Sequence, residues 1–328
     1  MEYTNLGKTG LKVSRICLGC MSFGDPGIRK WSLNEEESMP FFKKAIEAGI
    51  NFFDTANMYS RGASEIITGK GLKEYAKREE IVLASKVFFP MREDPNGRGL
   101  SRKATMTEID NSLKRLQTDY LDLYQIHRWD YTTPIEETLE ALHDVVKTGK
   151  VRYIGASSMH AYQFTKSLYL ADLYKWTRFV SMQNHYNLIY REEEREMLKV
   201  CTEEGIGVLP WSPLARGRLA RPWQKEADTK RSKNDEYGIK LYGKTEESDK
   251  KIVDAVTKIS KAHEATHAQV SLAWLLSKPV VTAPIVGTTK LNHIDDAVAA
   301  VSLKLTEDEI NKLEENYVPH PVAGFTYP

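Results

Sequence analysis

Apolar runs of four to seven residues recur along this chain, each followed by a longer stretch in which apolar residues return at helical period. That alternation predicts repeated βα units. Strands are predicted at Ile16–Cys20, Ile50–Asp54, Ile81–Lys86, Leu121–His127, Val151–Ala156, Phe179–Gln183, Ile206–Trp211 and Val280–Val286. Eight strands with intervening helices predict a closed α/β barrel of the (β/α)8, or TIM, type. Helix starts carry their own signals: Asn34 with Glu37 and Thr306 with Glu309 are capping-box pairs, and Thr133-Pro134 places an N-cap before a proline at the first helical position. The turn chemistry of Gly7-Lys8-Thr9-Gly10 predicts an N-terminal β-hairpin that plugs one end of the barrel. Composition does not break anywhere, so residues 1–328 read as a single domain.

In a parallel barrel, reactive groups gather at the C-terminal ends of strands. Asp54, Lys86 and His127 each close a predicted strand, and Tyr59 follows Asp54 by five residues. A phenol beside an ammonium, a carboxylate and an imidazole fits proton transfer to or from a substrate oxygen. A free phenol holds its proton until roughly pH 10, so a neighbouring ammonium would be needed to make it useful near neutrality. Lys86 is the candidate for that, with Asp54 holding it charged and Tyr59 acting as general acid. His127 either orients a carbonyl or shares the proton relay, and the residues leave both open. Two long connections, Phe88–Leu100 and Ser212–Ser248, leave the same face and are expected to be functional loops.

Composition narrows the classes. Charged residues are 28% of the chain and sum to a net +1, so no field favours nucleic acid, anionic membrane or an acidic substrate. No stretch approaches the roughly 18 apolar residues of a membrane span, and the N-terminus lacks an apolar signal core. Three cysteines, Cys17, Cys20 and Cys201, are too few for a disulfide framework. A soluble, unprocessed cytoplasmic protein is expected, as a monomer or weak homo-oligomer.

The ordered motifs then carry a resemblance. Leu18-Gly19-Cys20-Met21-Ser22-Phe23-Gly24, Phe53-Asp54-Thr55-Ala56 with Tyr59, Ser85-Lys86, Tyr124-Gln125-Ile126-His127, Gly155-Ala156-Ser157-Ser158, Ser181-Met182-Gln183-Asn184, Trp211-Ser212-Pro213-Leu214 and Pro284-Ile285-Val286-Gly287 span nearly the whole chain. Together they resemble the aldo-keto reductases, and are especially similar to the bacterial YajO-like branch. The resemblance implies reduction of a small aldehyde or ketone by NADPH, giving NADP. It also implies that Ser157, Ser158 and Gln183 bind the nicotinamide carboxamide while Trp211 stacks on the ring. Without a Gly-x-Gly-x-x-Gly run, a Rossmann site is not supported. The loops after strands seven and eight are instead read as the phosphate site: Ser212, Pro213, Leu214, Arg216, Gly217 and Arg218 on one, Gly287, Thr288, Thr289 and Lys290 on the other. Gly19, Met21, Asp54, His293 and Asp296 complete the expected cofactor contacts. Gly287 stands where some branches carry a lysine for the 2′-phosphate, and Ala297 follows Asp296 where asparagine is common, so the NADP preference rests on Arg218 and Lys290.

Tyr59, His127, Trp129, Trp31 and Phe88 are the expected substrate contacts, with Phe325 and Tyr327 extending an aromatic wall. His263-Glu264-Ala265-Thr266-His267 matches a zinc motif, but Thr266 with Gln269 forms a capping box that starts a new helix between the imidazoles. No metal is therefore expected. Cys17-Leu18-Gly19-Cys20 lies within a strand, where thiols are buried small side chains rather than a redox pair. Against the reductase stand a slow nicotinamide-binding regulatory module and a zinc hydrolase, and the complete tetrad favours the enzyme.

Overall fold

The structure, a computed structural model, describes residues 1–223, 238, 241, 242 and 245–325. A short antiparallel hairpin opens the chain, β1 (Tyr3–Asn5) against β2 (Lys12–Ser14). Eight parallel strands follow among the described residues: β3 (Cys17–Gly19), β4 (Phe52–Asp54), β5 (Val82–Val87), β6 (Leu121–Ile126), β7 (Val151–Ser157), β8 (Phe179–Gln183), β9 (Gly207–Val208) and β10 (Ile285–Gly287). They are hydrogen-bonded in sequence order, with β10 returning to pair with β3. The remaining seam closes through Val208 N to Val280 O (3.2 Å), Thr282 N to Val208 O (2.9 Å) and Ile285 N to Pro210 O (2.9 Å). The sheet is thus a (β/α)8 barrel.

Two strands fall well short of their predicted runs, while β3 and β4 are each two residues shorter than theirs. Ile206–Trp211 contributes only Gly207–Val208 plus a bridge between Trp211 and His185, and Val280–Val286 only Ile285–Gly287 plus a bridge at Val281. Pro210 and Pro284 lie inside these runs and cannot donate to a ladder.

Helices α1 (Glu35–Glu47), α2 (Ala63–Tyr75), α3 (Arg102–Leu116), α4 (Ile135–Lys147), α5 (Ala161–Tyr174) and α6 (Met197–Glu204) cover the outside, followed by α7 (Glu246–Ala262), α8 (His267–Leu276), α9 (Asn292–Ser302) and α10 (Glu307–Glu314). The capping boxes at Asn34, Thr266 and Thr306 are formed. Thr133 is displaced by one position from its expected role: Pro134 is itself the N-cap of α4, while the Thr133 hydroxyl donates to Asp130 at 2.9 Å.

The period of two along each strand sorts side chains into layers. Cys17, Phe52, Val82, Ala84, Leu123 and Ile285 point into the barrel and pack with Leu6 and Val13 of the hairpin, which closes the base. Gly7 makes that approach possible: its φ is +57°, and a Cβ there would lie 2.6 Å from the Gly205 carbonyl oxygen. One inward step further along the strands come Gly19, Asp54, Lys86, Gln125, Ser157 and Gln183. Polar chemistry therefore sits on an apolar floor.

Candidate active site

Asp54, Lys86, Gln125 and Gln183 occupy adjacent inward positions, and all four are buried. Lys86 Nζ donates to Asp54 Oδ1, to the Thr55 carbonyl oxygen at 2.9 Å and to the Tyr59 hydroxyl oxygen at 3.3 Å. The other carboxylate oxygen, Asp54 Oδ2, accepts from Gln125 Nε2 and Gln183 Nε2, each at 3.0 Å. Burial works against the charge on Lys86, but the Asp54 carboxylate and the Tyr59 oxygen outweigh it and raise the ammonium's pKa. The ammonium is thus fixed and charged, with one N–H aimed at a phenol.

Tyr59 meets His127 edge to face, ring centroids 5.7 Å apart at 82°. Burial, then the charges of Lys86, Arg128 and Arg29, hold His127 well below the usual imidazole range, so it is neutral. Its Nδ1 is buried without a hydrogen-bond partner. The tetrad named from strand ends is therefore assembled, with Gln125 added as a floor donor.

The expected nicotinamide residues also converge, with roles the motifs did not show. Gln183 spends Nε2 on Asp54 and Gln125, and its Oε1 takes no bond within that trio. Ser158, at φ +51°, accepts the Trp211 indole N–H at 2.9 Å and lies 3.2 Å from the Ser157 hydroxyl. One face of Trp211 is covered by His185, centroids 4.2 Å apart at 11°, and His185 in turn stacks on Tyr190 at 4.0 Å. A ring stacking on Trp211 would have to take the opposite face. His185 Nε2 lies 2.7 Å from the Tyr242 hydroxyl, which also accepts from Asn187 Nδ2 at 3.0 Å. Gly19 lets β3 and β10 close up beneath this site, since a Cβ there would sit 2.8 Å from Ile285 Cγ2.

On the loop expected to take phosphates, Ser212, Ala215, Arg216 and Gly217 all have positive φ, from 45° to 99°. Within this turn the N–H groups of Ala215, Gly217 and Arg218 donate to the carbonyl oxygens of Ser212 (2.9 Å), Leu214 (2.8 Å) and Ala215 (3.2 Å), so the loop is held by its own backbone. Pro213 and Leu214 lie within this turn and Arg218 follows it, its guanidinium 5.6 Å from the Tyr242 ring. Across from it, the Thr288 hydroxyl contacts the Lys290 carbonyl at 2.7 Å and His293 Nδ1 at 3.1 Å, and the Ser22 hydroxyl donates to the Thr288 carbonyl. Gly287 and Lys290 are exposed, Thr289 and Met21 half-buried. Asp296 Oδ1 already accepts from Thr266 and Gln269 at 3.1 Å, which ties it to the start of α8.

The substrate-side aromatics divide. Phe89 rather than Phe88 reaches His127, edge to face at 4.9 Å, with Phe88 behind it at 5.2 Å. Successive residues in extended chain point opposite ways, so a run of two phenylalanines left the choice open. Trp129 packs against the core, and Arg29 lies between Trp31 and Tyr59, its guanidinium 5.8 Å from each ring. Phe325 lies edge-on to His160 at 4.9 Å, and Tyr327 falls outside the described residues. Of the Ser212–Ser248 connection, only part is described.

Sequence reasoning missed Gln125, Phe89, His185 and Arg29. Strict alternation back from His127 would have found Gln125, because it faces the same way two residues earlier. No local pattern marks His185, which meets Trp211 through a bridge between the segments that follow the neighbouring strands β8 and β9. The two histidines of the zinc-like motif separate: His263 Nε2 meets Glu309 at 2.7 Å and His267 Nε2 the Thr257 hydroxyl at 2.9 Å. No cluster of three or more His, Cys, Asp or Glu suited to a metal occurs among the described residues. Likewise, no described helix is long and apolar enough to cross a membrane. Burial raises Cys17 and Cys20, the latter to about 12, so neither thiol is reactive.

Comparison with known proteins agrees with this geometry. The chain is 45% identical to versiconal hemiacetal acetate reductase of Aspergillus parasiticus, over 98% of each chain. It is 44% identical to the putative aryl-alcohol dehydrogenase C977.14c of Schizosaccharomyces pombe, over 98% of this chain and 97% of that one. With the putative aryl-alcohol dehydrogenase AAD16 of Saccharomyces cerevisiae it shares 42% identity, over 97% of this chain and 98% of the other. Residues 15–317 match the aldo/keto reductase family, and the chain belongs to it.

Proposed function

We propose that this protein reduces aldehyde or ketone carbonyls to alcohols at the expense of NADPH, with Tyr59 as general acid. The observation that carries the reading is the Lys86 ammonium, bound at once to Asp54, the Thr55 carbonyl and the Tyr59 oxygen. Gln183 Oε1 and the Ser157 and Ser158 hydroxyls would hold the carboxamide, and the Trp211 face opposite His185 the ring. Bound there, the reduced nicotinamide supplies the hydride for the carbonyl carbon. The two electrons that arrive leave negative charge on oxygen, and the Tyr59 proton moves onto it as Lys86 stabilises the charge left on the phenol. Solvent then returns the proton. Because His127 is neutral, its role in this reading is to donate an N–H that orients the carbonyl.

The reading takes the chain as one catalytic domain working in the cytoplasm, as a monomer or weak homo-oligomer. The three relatives named are fungal reductases or putative dehydrogenases, so the narrower likeness to the bacterial YajO-like branch rests on motifs alone. Preference for NADPH over NADH rests on Lys290 and Arg218.

The test is Tyr59→Phe, which keeps the ring and deletes the acid. Cofactor binding, followed by quenching of tryptophan fluorescence, should survive, while turnover of a reactive aldehyde should fall about a hundredfold to ten-thousandfold. A variant that binds cofactor normally yet keeps more than about a third of parental turnover, with chemistry rate-limiting, shows that Tyr59 is not the donor.

A further inference from the structure

The turn that carries Tyr59 is held from outside the barrel. Ser60, Arg61 and Gly62, which follow Tyr59 directly, have φ of +47°, +52° and +95°, and the first two are residues that rarely adopt this conformation unless their surroundings impose it. A cluster of charged side chains on α2 and α3 meets the turn at both ends. Upstream, Asn57 Nδ2 donates to Glu108 Oε2 at 3.3 Å, and the Asn57 backbone N–H to the Lys86 carbonyl oxygen, also at 3.3 Å. Downstream, Arg115 packs so close to Gly62 that a Cβ there would sit 2.7 Å from Arg115 Cδ. Arg115 donates through Nε to Glu65 Oε2 at 2.6 Å and brings Nη2 within 3.9 Å of Glu108 Oε2. The other Glu65 oxygen accepts from the hydroxyl of Ser85, the residue before Lys86, at 2.5 Å. One cluster therefore touches the chain beside Tyr59 and beside Lys86. Arg92, on the loop that carries Phe88 and Phe89, reaches Glu108 Oε1 at 2.7 Å. We propose that Asn57 and Glu108, steadied by Arg92, are positioning residues that set the separation of the Tyr59 hydroxyl from the Lys86 ammonium. This rests on the reductase reading above and adds to it what holds the acid in place.

Asn57 and Glu65 are 0% exposed and Glu108 2%. Stability alone does not call for charge here, because buried ion clusters can often be replaced by apolar side chains of similar volume without loss. What these groups supply is direction: apolar packing has none, whereas a hydrogen bond weakens steeply off its line. Asn57 Oδ1 has no partner, so among the described residues the amide is held through its bond to Glu108. Glu108 keeps Arg92, and Asn111 Nδ2 at 3.3 Å, when Asn57 is cut, so that cut strands no charge.

Asn57→Ala removes the tie nearest Tyr59, while Arg92→Met acts from the loop, where the side chain is 39% exposed and threatens the fold less. The experiment is single-turnover oxidation of prebound NADPH by 4-nitrobenzaldehyde, in light and in heavy water, with rates taken per cofactor-binding site. Asn57→Ala should slow this step about tenfold with NADPH affinity unchanged, and the solvent isotope effect should grow because proton delivery then limits the step. Arg92→Met should slow it severalfold, and Arg92→Lys should restore part of the loss. The double variant Asn57→Ala, Arg92→Met should be no slower than Asn57→Ala, because both cuts act through Glu108. A folded Asn57→Ala within about twofold of the parent per site, or one slowed with its isotope effect unchanged, overturns the proposal. So does a double variant whose losses multiply. If Asn57→Ala does not fold, Arg92→Met decides alone by the same rate and isotope effect. A parent protein that oxidises no NADPH with the aldehyde sinks the reductase reading itself.

Discussion

Replacing Lys86 by methionine separates what the buried tetrad does for the fold from what it does for chemistry. Asp54 and Lys86 are 2% and 0% exposed, so deleting the ammonium leaves a buried carboxylate without its counter-ion. Breaking such a pair from one side costs about 3 to 5 kcal/mol. Here Asp54 Oδ2 keeps its two amide donors, and only Oδ1 is stranded. That places the expected loss near the lower end, roughly 3 kcal/mol. In the double variant Asp54→Asn, Lys86→Met no charge is left buried, and stability should recover by roughly 1 to 3 kcal/mol relative to Lys86→Met. Turnover should not recover, because neither residue remains to place positive charge at Tyr59. The assay is urea unfolding followed by tryptophan fluorescence at pH 7, with m-values compared to confirm a common unfolded state. Lys86→Met within about 1 kcal/mol of the parent, or a double variant no more stable than Lys86→Met, would refute the reasoning.

Two further outcomes are expected. Exposed Lys290 has no ion-pair partner among the described residues, so Lys290→Met should weaken NADPH more than NADH in fluorescence titrations; equal weakening removes the 2′-phosphate contact. Glu193 is pushed up to about 8 by burial, with Asn184 working against the rise and Glu192 adding to it. The native state therefore keeps a proton that the unfolded chain sheds near 4.5, and stability contributed by this group is lost as pH climbs from there to about 8. Glu193→Gln should flatten that decline and exceed the parent above pH 7 by on the order of 2 kcal/mol, read from melting curves across the range.

How much was legible depended on distance along the chain. Strand order and the tetrad followed from short-range pattern, because in a parallel barrel the inward steps nearest the C-terminal ends of the strands lie at the mouth. Gln125 was within the same logic. Beyond it were pairings set by tertiary contact: His185 wedged between Trp211 and Tyr190, and Arg29 laid on Tyr59 from a loop thirty residues earlier. Apolar character misled where proline interrupted it, at Pro210 and Pro284, since hydropathy does not register a missing N–H.

Among the described residues, the hairpin closes the base of the barrel beneath the site. Leu6 and Val13 close the base, an apolar layer lies above them, and Lys86 has no exposure of its own. Water cannot approach the relay from beneath. On the mechanism proposed above, the proton that Tyr59 gives up comes back from the mouth, the side that admits the substrate and lets the alcohol leave. A product slow to depart thus delays two events together: vacating the site and rearming the acid.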